Sequence, residues 1–142
     1  TLNECFDLYT DFERLEGENK WYNDKTKEYM ECYKQIKFWS LPKVLIIVLK
    51  RFLNNGRKIR TTVDFPINDL CLNKYAVGYA KKKNYYELAG IANHTGSLNS
   101  GHYFAYCKNK SKWYNYNDRI VEPINKKELI TSNAYCLFYV KK

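Results

Sequence analysis

The 142-residue sequence predicts an α+β fold that consists mainly of antiparallel β-sheet, with one short helix at its N-terminal end. Three observations predict this class. A helical pattern of apolar residues is confined to residues 1–9, a series of strand-like segments follows residue 28, and neither an internal repeat nor a linker-like stretch divides the chain. Residues 1–142 are therefore expected to belong to a single domain.

The first predicted element is a helix over residues 1–9. Thr1 and Glu4 match a capping box, in which the threonine hydroxyl and the glutamate carboxylate satisfy backbone N–H groups at the start of the helix. An apolar stripe lies along one face of this helix: Leu2, Cys5, Phe6 and Tyr9. Residues 12–27 are polar, which predicts a loop.

The strand pattern begins near Glu28 and continues to the C-terminal end. The apolar run in "PKVLIIVLKRFL" predicts a strand that is buried on both faces. The turn signal "NNGRK" at 54–58 predicts a hairpin with "IRTTVDF", which Pro66 ends. Four more strands are expected, in "YYELAGIAN", "HYFAYCK", "KWYNYND" and "AYCLFYV".

Charge and cysteine content narrow the class of protein. The formal net charge is +9, but the lysines are dispersed, and the densest run, "KKK" at 81–83, predicts a solvated loop; no nucleic-acid partner is expected. The chain has five cysteines without a CxxC pair and no apolar stretch that could span a membrane, and no signal peptide is expected. These features predict reduced thiols in an intracellular protein, cytoplasmic or nuclear or both, without a membrane partner.

One of the two histidines, His102, opens the strand "HYFAYCK". If "KNKS" at 108–111 is the hairpin loop, His102 stands opposite Asn117, with Asp118 next in line, and opposed Cβ atoms are roughly 5 Å apart. A one-residue slip or bulge would bring Asp118 opposite the ring instead. A histidine oriented by Asn or Asp is the base half of a nucleophile–His–Asx triad, and Gly101 leaves room beside the ring. The alternative is a half-buried histidine that only hydrogen-bonds to Asn117.

The nucleophile of such a triad is not evident in this chain. None of the five cysteines follows a Gly- or Asn-rich turn at a helix start, where a thiolate is favoured. Cys107 lies five positions from His102 on the same strand and therefore points to the opposite face. All five cysteines are expected to be structural.

Several segments resemble, in order, the C-terminal half of the catalytic domain of the ubiquitin-specific proteases, the papain-like deubiquitinases. They are "WSLPKVLIIVLKRF", "VDFPI", "YYELAGIANHTGSLNSGHYFAYCKN", "KWYNYNDRIV" and "NAYCLFYV". The resemblance implies that residues 1–142 form the palm and fingers part of a papain-like cysteine protease fold. It also implies that the thumb, with the catalytic cysteine, belongs to an upstream half of the same domain.

The resemblance assigns roles to individual residues. His102 would be the catalytic base, Asn117 the third triad member and Asp118 a neighbouring acidic group that helps to position water or the thiol. Phe52 and Tyr103 match aromatic residues near the channel for the ubiquitin tail, with plain core packing as the alternative. The loop and strand start that border this channel would be Ser97, Leu98, Asn99, Ser100 and Gly101. Implied partners are ubiquitin, ubiquitinated proteins and the upstream half of the domain.

One departure from the family concerns zinc. Many members hold a structural zinc through two CxxC pairs, but "WYNDKT" places Asn23 and Thr26 where the second pair would stand. Neither side chain is a good zinc ligand, so no metal and no other cofactor is expected. The implied activity is hydrolysis of the bond after the C-terminal glycine of ubiquitin. The alternative function is a catalytically inactive ubiquitin-binding or scaffold module of the same fold.

Overall fold

The computed structural model describes residues 1–79 and 83–142, which form one short helix and eleven strands within those ranges. The elements are α1 Leu2–Tyr9, β1 Phe12–Leu15, β2 Trp21–Asn23, β3 Glu28–Met30, β4 Cys32–Gln35, β5 Val44–Val48, β6 Leu70–Cys71, β7 Tyr85–Gly96, β8 Gly101–Asn109, β9 Lys112–Asn117, β10 Ile120–Ile124 and β11 Ala134–Lys141. All ladders between these strands are antiparallel. The predicted α+β class is confirmed.

The main sheet has seven strands in the order β10–β9–β8–β7–β11–β5, and β6 pairs with the beginning of β7. One face of this sheet buries the core, where Ile91 and Leu137 stand opposite each other on β7 and β11. Helix α1 and the segment around β6 cover that face with Leu2, Phe6 and Leu72. Within residues 1–79 and 83–142, no helix is long and apolar enough to cross a membrane.

Helix α1 follows its sequence signals closely. Thr1 and Glu4 form the predicted capping box, and the Thr1 Oγ1 accepts a hydrogen bond from the Glu4 N–H at 3.3 Å. Leu2 and Phe6 are buried, whereas Cys5 and Tyr9 are exposed, so only half of the predicted apolar stripe contacts the core.

The predicted loop at residues 12–27 is wrong. Strand β1 pairs with β4, and β2 pairs with β3, in two small separate ladders. No residue of these four strands is fully buried. A strand without a buried face lacks the alternation of apolar and polar residues that identifies strands in a sequence, and its polarity therefore suggested a loop.

Two other predictions fail in detail between residues 44 and 65. Strand β5 lies at the edge of the main sheet, and its side chains Val44, Ile46 and Val48 are 52, 57 and 53% exposed, so it is buried on one face only. The "NNGRK" turn forms, with the Leu53 N–H donating to the Arg57 carbonyl at 3.0 Å. Its ladder is limited to a single bridge, and "IRTTVDF" is not a strand. In the "KKK" run, Lys83 is exposed, and residues 81 and 82 lie outside the described residues.

Candidate active site

His102 and Asn117 meet where β8 begins and β9 ends. The distance between His102 Nε2 and Asn117 Oδ1 is 2.6 Å. Because an amide oxygen only accepts hydrogen bonds, Nε2 carries the proton and donates it, and the neutral ring presents Nδ1 as its unprotonated nitrogen. The His102 side chain is 46% exposed. The ring is thus oriented by a side chain and remains accessible.

The predicted contact is confirmed, but the predicted hairpin register is wrong. The connection between β8 and β9 is Lys110 with Ser111, and Cys107 stands opposite Tyr114 rather than Lys112. This shift is by two residues, and side chains alternate with a period of two, so His102 and Asn117 stay on the same face. The ladder ends at the pair Ala105 and Tyr116, and the two side chains meet beyond it.

Asp118 follows Asn117 in the tight turn between β9 and β10. Its Oδ2 lies 3.9 Å from His102 Nε2, which is longer than a hydrogen bond, and its side chain is 80% exposed. Its backbone adopts φ +51°, a left-handed conformation that aspartate tolerates better than most residues. The backbone conformation alone therefore gives a reason for the residue type at this position.

The four loop residues predicted to border a channel, Ser97 to Ser100, are all exposed. The loop is closed by the Ser97 N–H, which donates to the Ser100 carbonyl at 2.7 Å, and Gly96 adopts φ +103° at its start. A Cβ at Gly56 would lie 3.9 Å from Leu98 Cδ2, so the loop approaches the "NNG" turn. Two surface turns therefore stand side by side near the start of β8.

Phe52 and Tyr103 are brought together through a residue that the sequence reasoning missed, His94. Ring centroids of Phe52 and Tyr103 lie 5.7 and 4.6 Å from that of His94, and Tyr135 adds a ring at 5.9 Å. His94 is 4% exposed, whereas Tyr103 is 57% exposed. If "SLNS" is taken as a hairpin loop, as "KNKS" was for His102, the register places His94 opposite Tyr103, where the structure has it.

Gly101 is required for close packing at this point. A Cβ there would lie 2.2 Å from His94 Nε2 and 2.4 Å from the Thr95 carbonyl oxygen. Gly101 was predicted to leave room beside the His102 ring, but the space that its missing side chain leaves is taken up by the His94 ring and the neighbouring strand.

Two buried or half-buried cations tie the "NNGRK" turn to the sheet. The Arg51 Nε donates to the Ala134 carbonyl at 2.6 Å, and its Nη1 donates to the Thr61 carbonyl at 2.8 Å. The Lys58 Nζ lies 2.9 Å from His94 Nδ1 and donates to the His94 carbonyl at 2.6 Å. Burial and then the Lys58 charge lower the pKa of His94, so this second histidine is neutral at pH 7.

The cysteines do not complete a triad in the structure. In residues 1–79 and 83–142 no hydrogen bond connects His102 to a thiol. Burial raises the pKa of Cys107 and of Cys136, which disfavours their thiolates. That all five cysteines are structural remains a prediction.

The zinc that the family resemblance suggests does not fit the residues present. Asn23 ends β2, and its Oδ1 accepts a hydrogen bond from the Lys25 N–H at 3.0 Å, so this side chain closes the β2–β3 hairpin. The described ranges contain no group of three or more His, Cys, Asp or Glu that could hold a metal ion. Absence of zinc stays a prediction, which elemental analysis of protein purified without added metal would check.

Fold and site together define the class of protein. The sheet is the palm-like part of a papain-like cysteine protease fold, and a histidine oriented by an asparagine lies where β8 begins and β9 ends. A family model described as ubiquitin carboxyl-terminal hydrolase matches residues 5–139. The chain belongs to this family, and the resemblance to the ubiquitin-specific proteases is confirmed.

Individual relatives show the same similarity. The chain is 37% identical to the human and bovine ubiquitin carboxyl-terminal hydrolase 15, and 36% identical to the rat ubiquitin carboxyl-terminal hydrolase 4, each over 99% of the chain. It spans 15% of the length of each of these relatives.

Among solved structures, the whole chain matches 33% of a chain in the SAGA Ubp8/Sgf11/Sus1/Sgf73 DUB module, with a TM-score of 0.83 and 33% identity. It matches a yeast SAGA DUB module with mutant Sgf73 at a TM-score of 0.86 and 34% identity, again over 100% of this chain and 33% of that one.

Proposed function

We propose that this chain supplies the catalytic base, and the residue that orients it, to a ubiquitin-specific thiol protease. The enzyme would hydrolyse the bond after the C-terminal glycine of ubiquitin. The observation that carries the proposal is the 2.6 Å contact between His102 Nε2 and Asn117 Oδ1, which leaves Nδ1 as the basic nitrogen of an accessible ring. Membership of the ubiquitin carboxyl-terminal hydrolase family supports the choice of substrate.

The proposed reaction uses a cysteine from the upstream half of the same domain. His102 Nδ1 takes the thiol proton, and the thiolate attacks the carbonyl carbon of the terminal glycine of ubiquitin. His102 then gives the proton to the leaving amine, which leaves a thioester. Water, deprotonated by the same nitrogen, hydrolyses the thioester and restores the thiol. Asn117 holds the ring in the required tautomer throughout.

The surroundings of His102 suit this role. Asp118, at 3.9 Å, would stabilise the imidazolium that forms during proton transfer. The 97–100 loop together with Phe52 and Tyr103 would border the extended tail of ubiquitin. An intracellular location is part of the proposal, because free cysteines suit a reducing compartment.

A second candidate function is a ubiquitin-binding or scaffold module without catalysis. The observation that favours it is geometric: within residues 1–79 and 83–142, His102 has no hydrogen bond to any of the cysteine thiols. Turnover by the complete protein distinguishes the two functions.

The test is cleavage of a fluorogenic ubiquitin C-terminal amide by the complete protein and by residues 1–142 alone. We expect turnover by the complete protein only, and a loss of at least about 100-fold in His102→Ala, since a general base contributes roughly 10²–10⁴-fold. Thermal unfolding of the variant controls for loss of fold. An unchanged rate in His102→Ala would refute the assignment of the base. Turnover by residues 1–142 alone, removed by mutating Cys107 or Cys136, would show that the nucleophile was misplaced.

A further inference from the structure

Lys58 makes two short contacts to a single residue of the sheet, His94. Its Nζ lies 2.9 Å from His94 Nδ1 and 2.6 Å from the His94 carbonyl oxygen. An ammonium group only donates hydrogen bonds, so the Nδ1 must be an acceptor, and the neutral ring carries its proton on Nε2. Lys58 therefore fixes the position and the tautomer of the ring at the same time.

Local structure brings Lys58 to this position. The "NNG" turn folds residues 52–58 back on themselves, so that Phe52 and Lys58 form an antiparallel bridge. The Lys58 Nζ stands 5.8 Å from the centroid of the Phe52 ring, and that ring packs against His94 at 5.7 Å. Lys58 and Phe52 thus both contact the His94 imidazole and keep it in place.

The His94 ring in turn contacts the groups that lead into the candidate site. Its Nε2 occupies the space where a side chain of Gly101 would be, and Gly101 directly precedes His102. On another side its ring is tilted against the exposed ring of Tyr103, at 4.6 Å between centroids. A displaced His94 would therefore displace the wall formed by Phe52 and Tyr103.

We propose that Lys58 is a positioning residue for this site: by holding the His94 ring against Gly101, it fixes the aromatic wall that receives the extended C-terminal tail of ubiquitin. This inference rests on the proposed function, which places the tail along Phe52 and Tyr103. His102 has its own orienting partner in Asn117, so loss of Lys58 acts on binding of the tail and leaves proton transfer nearly intact.

The experiment compares Lys58→Met with two controls in the complete protein. Affinity is measured by calorimetry for intact ubiquitin and for ubiquitin without its last two glycines, and KM and kcat are measured with the fluorogenic amide. In Lys58→Met we expect Kd and KM for intact ubiquitin to rise about tenfold, because the two charge-assisted hydrogen bonds that hold His94, and through it Phe52 and Tyr103, are lost. Affinity for truncated ubiquitin, and kcat, should stay within about threefold.

Lys58→Arg is the conservative control and Lys108→Met the matched one. Arginine keeps the charge and several donors, so it should restore Kd to within about threefold of the wild type. Lys108 makes a 2.6 Å ion pair with Glu87 elsewhere on the sheet, and its replacement by methionine should leave both affinities unchanged. As a spectroscopic readout, nitrogen-15 shifts of His94 should show the Nε2–H tautomer in the wild type and a mixture of tautomers in Lys58→Met.

Three results would overturn the inference. They are an unchanged Kd for intact ubiquitin in Lys58→Met, an equal loss of affinity for truncated ubiquitin, and an equal loss in Lys108→Met. The proposed function is tested with a different variant, His102→Ala, which should abolish turnover without changing Kd for ubiquitin. A protein in which His102→Ala is inactive and Lys58→Met is normal would retain the proposed function and refute the role of Lys58.

Discussion

Replacing Gly101 by alanine should damage both the stability of the fold and the candidate site. The added Cβ would lie 2.2 Å from His94 Nε2 and 2.4 Å from the Thr95 carbonyl oxygen, both far inside contact distance. The Thr95 carbonyl belongs to the backbone of the paired strand, and Lys58 holds the His94 ring, so neither neighbour moves by a simple rotamer change. Overpacking of this kind costs about 1–3 kcal/mol of unfolding free energy. Because His102 is the next residue, a shift of about 1 Å would also lower kcat/KM by roughly 100-fold.

Gly90→Ala is the matched control on the same sheet. A Cβ at Gly90 would lie 3.5 Å from the Tyr106 carbonyl oxygen and 3.6 Å from Cys107 Sγ, which are ordinary contacts. Its cost should stay within about 0.5 kcal/mol. Urea denaturation of the complete protein measures the free energies, and the fluorogenic amide measures kcat/KM. Equal stability and equal activity of the two variants would refute the reasoning from close packing.

Three further predictions concern the site. Asn117→Ala should lower kcat by about 100-fold with little change in KM, since the ring loses its orienting partner but tail contacts remain; steady-state kinetics check this. Asp118→Asn should retain the unfolding free energy, because asparagine also tolerates φ +51°, whereas Asp118→Ala should be less stable; a reduced kcat in both variants would assign a catalytic effect to the carboxylate. The lowered pKa of His94 means that, as pH falls through about 6.5, the unfolded chain binds a proton that the folded protein does not. The unfolding free energy of the wild type should therefore decrease from pH 7.5 to 5.5, and it should decrease less in His94→Gln.

Elements with strong local signals were predictable from the sequence. The capping box predicted α1, and the turn residues together with the apolar alternation predicted β7, β8, β9 and β11. The short strands β1 and β2, within residues 12–27, were not predictable in this way, because they have no buried face and so no hydrophobic period. The apolar run of β5 could not reveal an edge position, since its place in the sheet depends on pairing with the distant β11.

For the candidate site, the contact between His102 and Asn117 was predictable because a two-residue error in register keeps both side chains on one face. His94 was missed because its role depends on Lys58, which approaches through tertiary packing from a separate turn. The "NNGRK" turn approaches the 97–100 loop at Gly56 and Leu98. This is another tertiary contact, and the periodicity of the sequence does not predict it.

Because β11 lies between β5 and β7 in the sheet, the strands cannot all pair in the order in which they are synthesised. Leu137 pairs with Ile47 on one side and with Ile91 on the other, so β5 joins the sheet only after residues 134–141 have been made. Until then the nascent chain carries β5 as an unpaired strand with apolar side chains, a state that favours association with other chains. Pairings this distant in sequence also slow folding, because a long loop must close before any contact is gained. A truncation before Ala134 would remove the strand that joins β5 to β7, and β5 would then have no partner in the sheet.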